Sequence, residues 1–75
     1  MAQKLILQYD READILYLKS KRPYPEQETE ELGEDIVGRL NPGTGEVESL
    51  EILFFSERVK RDLLELPVTA DFRRA

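Results

Sequence analysis

The sequence predicts an α+β domain: an antiparallel β-meander of about four strands, with one C-terminal α-helix packed on one face. Three observations predict it. Apolar and polar residues alternate in short runs at 4–9, 15–19, 36–40 and 46–55, the two-residue period of a strand. Turn-forming stretches separate those runs, notably Asp10 to Asp14 and Asn41-Pro42-Gly43-Thr44-Gly45. After Ser56 the apolar spacing changes to that of a helix.

The elements follow in order. Lys4 to Tyr9 sets Leu5, Leu7 and Tyr9 on one side of a strand and Lys4, Ile6 and Gln8 on the other. Five residues, Asp10 to Asp14, form a hairpin loop, and Ile15 to Lys19 returns with Leu16 and Leu18 opposite Ile15 and Tyr17. Lys21 to Thr29 contains Pro23-Tyr24-Pro25 and reads as a loop, because neither proline can donate to a sheet ladder. Glu28 to Leu32 is a candidate short edge strand, and Ile36 to Leu40 is a full one. In the Asn41 to Gly45 turn, Pro42 presets the first central position and Gly43 supplies the positive φ of a type II turn. Glu46 to Phe55 alternates Leu50, Ile52 and Phe54 against Glu51, Leu53 and Phe55. Ser56 then reads as the N-cap of a helix running to Leu66, with Val59, Leu63 and Leu66 as its stripe and Pro67 as its end. Residues 1–66 make the domain and 67–75 a tail.

Composition excludes more than it assigns. A chain of 75 residues holds one domain, and a core this small supplies roughly 3–5 kcal/mol. There is no cysteine and no histidine, which removes disulfides, thiolate zinc sites and any Ser-His-Asp nucleophile built on Ser20, Ser49 or Ser56. The expectation is a non-enzymatic chain without cofactors. No apolar run reaches the roughly 20 residues of a membrane span and no signal peptide opens the chain, so a soluble cytoplasmic protein is expected.

The net charge of −5 argues against nucleic-acid binding by general electrostatics. Charge is also unevenly placed. Residues 1–22 carry five basic and three acidic side chains, 23–57 carry one and ten, and 58–75 carry five and three. The acidic middle suits a small basic protein partner, or simply a solvated edge. Asp10, Glu12 and Asp14 alternate like the start of a calcium loop, yet Ile15 and Lys21 stand where that loop needs glycine and a carboxylate, so they read as turn formers. Asn41 to Gly45 lacks the length and the lysine of a phosphate loop.

A single helix covers one sheet face. In the register read here the other face carries Ile15, Tyr17, Val37, Val47, Leu53 and Phe55, apolar enough to mark an interface. With no covalent or metal support, a homo-oligomer, dimer favoured, is expected to bury it. Phe72 is the candidate anchor of a docking tail, with Arg73 and Arg74 meeting an acidic face such as 26–35.

Tyr9-Asp10-x-Glu12-Ala13-Asp14-x-Leu16-Tyr17-Leu18, Glu31-Leu32-Gly33-Glu34-Asp35-Ile36 and Gly45-Glu46-Val47-x-x-Leu50-Glu51-Ile52-Leu53 together resemble the YuzE-like family of small prokaryotic domains of unknown function. The resemblance covers about residues 4–64. It implies a small β-meander with one helix and brings no catalytic residues. It also implies an antitoxin-like role, since some members of that family stand beside small toxin-like proteins. The leading functional reading is an interaction domain that self-associates or binds a protein partner. The alternative is a small-ligand or regulatory module with a pocket between helix and sheet, lined by Tyr9, Tyr17 and Phe54.

Overall fold

The computed structural model describes residues 4–61 and 63–68. Five antiparallel strands make one sheet: β1 (Ile6–Asp10), β2 (Ile15–Lys19), β3 (Glu28–Gly33), β4 (Ile36–Leu40) and β5 (Val47–Leu53). A five-residue helix, α1 (Phe55–Val59), follows. The fold is α+β, with five strands rather than four, because the candidate edge segment at 28–32 does pair with β4. Strand order is β1-β2-β5-β4-β3. A strict meander would put β3 beside β2. Instead β5 takes that place, so residues 20–27 must carry the chain past the ends of β5 and β4.

The register separates two unlike faces. On one, Leu7, Leu18, Leu50 and Gly38 lie in a row across four strands, and Tyr9, Leu16, Ile52 and Ile36 form the next. This is the core face, where Leu18, Ile36, Leu40, Val47, Leu50 and Ile52 are buried together. Burying a leucine or isoleucine completely is worth about 1.5–3 kcal/mol, so Leu50 and Ile52, with no exposed surface, dominate the gain. Gly38 is needed in its row: a Cβ there would lie 2.4 Å from Leu32 Cδ1. Leu32 sits at the irregularity between Glu31 and Gly33, packed against the core.

A second irregularity changes the role of two residues. Arg39 pairs with Ser49, but Leu40 pairs with Val47, so one step in β4 spans two in β5 and Glu48 has no residue opposite. The slip turns Val47 into the core, where it is buried beside Leu40. Glu48 is only 4 % exposed, and its carboxylate is surrounded by donors from the crossover. Tyr24 Oη donates to Oε1 at 2.5 Å and Gln27 Nε2 to the same oxygen at 3.0 Å. Asn41 Nδ2 reaches Oε2 at 3.3 Å, and Lys21 Nζ lies 3.2 Å from it. The Glu48 carbonyl accepts from the Ser20 amide and hydroxyl. Glu48 therefore pins the crossover to the sheet.

The Asn41 turn forms, with a different residue in the left-handed region. Asn41 Oδ1 accepts the Gly43 and Thr44 amides and the Asn41 carbonyl accepts that of Gly45. It is Gly45, at φ 76°, that supplies the positive φ.

The C-terminal part departs most from expectation. Phe54 takes φ 54°, which ends β5 and swings Phe55 out of the sheet into α1. Phe55 packs on the core face, its ring 5.6 Å from that of Tyr9. Ser56 is inside the helix, not its cap. The helix ends at Val59, and residues 63–66 are not helical. Leu64, Leu66 and Val68 pack against the core at two-residue spacing, so this segment is an extended strap. A five-residue helix has little stability of its own, and Pro67 disfavours helical geometry at Leu66. An extended chain buries alternate side chains without meeting either cost.

Candidate interaction surface

The structure redistributes the expected interface. Ile15, Tyr17, Val37 and Leu53 do share the face away from the core, all half-buried. Val47 and Phe55 do not: the β5 slip and the Phe54 kink place both on the core side. Phe72 lies outside the described residues. The four that remain are interleaved with charge. Tyr17 and Val37 stand on either side of Glu51, Arg39 Nε donates to Glu51 Oε2 at 2.7 Å, and Lys19 Nζ sits 5.1 Å from the Tyr17 ring centre. Lys19 also donates to Gln8 Oε1 at 3.0 Å. Apolar residues interleaved with charged side chains suit water better than a dry interface.

The residues of the alternative reading are likewise split. Tyr9 pairs with Leu16 and Tyr17 with Gln8, so the two tyrosines are on opposite faces, while Phe54 is mostly exposed at its kink. A cleft of about 290 Å³ does lie between strap, helix and sheet, but Gly33, Glu34, Ile36, Arg58, Glu65, Leu66 and Pro67 line it.

The uncovered apolar surface is at β1. Along the row Leu50, Leu18, Leu7, exposure rises from 0 % to 7 % to 62 %. The core thus continues to the sheet edge and loses its cover there. Tyr9, on the same side as Leu7, is also exposed, as is Leu5 just before the strand. All five residues of β1 are exposed.

Asp14 holds this strand in place. Asp10 Oδ1 accepts the Glu12 and Ala13 amides and so builds the hairpin turn. Asp14, at φ 57°, then ties β1 and the start of α1 to the turn. Tyr9 Oη donates to its Oδ1 at 2.6 Å, the Ser56 amide to Oδ1 at 2.9 Å and Ser56 Oγ to Oδ2 at 2.6 Å. Its carbonyl accepts the Phe55 amide. The first amides of α1 are thus capped from 42 residues away in sequence. The Ser56 hydroxyl, the Tyr9 phenol and the Ser56 amide hold the Asp14 carboxyl below its usual value. The same bond, with some desolvation, raises the Tyr9 phenol. The carboxylates of Asp10 and Asp14 are thus both engaged in hydrogen bonds.

The two sheet edges differ. β3 carries Glu28, Glu30 and Glu31 and is broken by the irregularity after Glu31; charge and bulges are devices that keep edges from pairing. β1 has an unbroken register with β2, no proline and no positive φ. Sequence reading put Leu7 and Tyr9 on one face correctly and missed that this strand is an edge; only strand order shows that.

A family model described as a protein of unknown function, DUF2283, matches residues 6–56. The chain belongs to this family. The DUF2283 match opens at the first residue of β1 and closes at Ser56, the partner of Asp14, so it takes in the whole sheet and leaves the strap outside. No curated protein and no solved structure matches the chain. Among the described residues, no helix is long and apolar enough to cross a membrane.

Proposed function

We propose that this DUF2283 chain is a non-enzymatic interaction domain that associates with a second copy of itself on the β1 side of the sheet. The observation that carries the reading is the core row that ends uncovered at Leu7. An apolar row of that kind is stabilised by whatever removes it from water, at about 25 cal/mol per Å², and a small domain without disulfide or metal has most to gain. The engagement of Asp14 and Glu48 supports the non-enzymatic part. Both carboxylates are saturated by donors from the protein's own segments and serve the fold.

The finer affiliation with the YuzE-like group and an antitoxin-like role belong to the same proposal. A protein that acts by covering another needs a surface and no chemistry. Sedimentation equilibrium of the full chain between about 1 and 100 μM is the direct test. The expected outcome is a species of twice 8.7 kDa. A single 8.7 kDa species over the whole range would refute self-association.

A further inference from the structure

How two copies meet is written in β1. We infer that they pair β1 against β1, antiparallel about a two-fold axis at Leu7, joining two five-stranded sheets into one; this rests on the self-association proposed above. In that register Lys4 faces Asp10 of the second copy, Leu5 faces Tyr9, Ile6 faces Gln8, and Leu7 faces itself. Residues directly opposite in an antiparallel pair share a face. Leu5, Leu7 and Tyr9 therefore make one apolar stripe across the axis, on the side where Leu7 already continues the Leu50–Leu18 row. The core row of one copy runs into the core row of the other. On the opposite face Lys4 and Asp10 form two symmetric pairs of opposite charge.

The neighbouring register fits worse. An axis at Gln8 sets Ile6 against Asp10 and carries Lys4 past the end of β1, opposite Glu12 in the hairpin turn. The strand is also ready to pair: it is extended, has no register break, and among the described strands has β2 as its one neighbour. The β3 edge offers no such match, because Glu28, Glu30 and Glu31 would set carboxylates of two copies close together.

The test uses the absence of native cysteine. Leu7→Cys places a single thiol on the axis, where opposed Cα atoms of an antiparallel pair are about 4.5–5.5 Å apart, within disulfide range. Gln8→Cys and Thr29→Cys are the comparisons, one a step off the axis and one on β3. The expected result is a covalent dimer from Leu7→Cys at low micromolar concentration under mild oxidation, formed at least roughly tenfold faster than from either comparison. Leu7 is largely exposed, so the variant leaves the core intact, and circular dichroism checks this. In the cysteine-free background, Leu7→Arg should raise the dimer dissociation constant about 100-fold by setting two like charges in contact. Lys4→Glu should raise it roughly tenfold, and adding Asp10→Asn, which keeps the oxygen of the turn, should recover part of that loss. A wild type that dimerises while Leu7→Cys cross-links no faster than its comparisons and Leu7→Arg leaves the mass unchanged overturns the β1 pairing and leaves self-association standing. Faster cross-linking at Gln8 overturns the Leu7 register. A monomeric wild type overturns both readings.

Discussion

The two ends of the sheet are each held by one carboxylate, and the two do different work. Asp14 stands where β1 turns into β2 and ties together Tyr9, Phe55 and Ser56. Glu48 stands at the other end and ties Lys21, Tyr24 and Gln27 of the crossover to Asn41. The number of donors is similar; the solvent is not. Around Asp14 water replaces any bond that opens, so the cluster orients its segments and contributes modestly. Burial pushes the Glu48 carboxyl up, and the four donors, Tyr24 foremost, overcome that and bring it down to about 2. A buried charge with its donors removed has no substitute for them. Burial, and not bond count, decides which of the two the fold depends on.

The strongest way to break this comparison is Glu48→Ala. It leaves the Tyr24, Gln27, Asn41 and Lys21 donors facing an apolar gap, at a cost of about 3 kcal/mol. That removes most of the stability of a core this size, so urea titration should find the variant's midpoint moved close to zero denaturant.

Acid should act on the same group more gradually. The Glu48 carboxyl is held at about 2 against an ordinary value of 4.5. Between those limits the unfolded chain binds more protons, so stability rises with pH there. The contribution is fully present above about 4.5 and is lost as pH falls toward 2. Asp14, also depressed, acts in the same direction with a smaller weight because it is solvated. Thermal melts from pH 6 to pH 2 should show the loss, and Glu48→Gln should flatten it while Asp14→Asn changes it little. Tyr24 is the mirror case: the Glu48 bond and desolvation raise its phenol to about 12 from 10.0. Its contribution is present below pH 10 and is lost as pH rises through about 12.

Ser56→Ala sharpens the exposed side. It removes one of the bonds to Asp14 and keeps the Ser56 amide in place, so a drop of a few degrees in Tm is expected, far less than at Glu48. The smallest effect belongs to Phe54→Gly. Glycine reaches φ 54° without strain, and the side chain removed is mostly exposed, so stability should stay within about 0.5 kcal/mol of wild type by denaturant titration. A large loss there would show that the Phe54 ring, not the kink, holds α1.

Much of this was legible in the chain and some was not. Ile15 to Lys19 and Ile36 to Leu40 are strands because their alternation is local and complete. Asp10 reads as a turn former because its oxygen reaches amides two and three residues on. Glu48 shares the alternation phase of Leu50 and Ile52, and an acid in a core phase was the one signal that it needed partners. Those partners lie more than 20 residues away at Tyr24 and Gln27, and no spacing rule connects them. The stripe Val59, Leu63, Leu66 and the alternation Leu64, Leu66, Val68 overlap in one segment. Both periods fit these residues, and only the packing of Leu64, Leu66 and Val68 on the core separates them.

By itself the sequence determined the α+β class, four of the five strands, the hairpin turns and the exclusion of histidine and thiolate chemistry. These follow from interactions within about five residues, where period and turn chemistry act directly. Tertiary structure alone decided that β5 enters between β2 and β4, that Val47 and Phe55 face the core, and that Leu7 is left at an open edge. Each depends on which distant segments meet. A residue's face is set by its own strand, whereas its cover is set by the strand beside it.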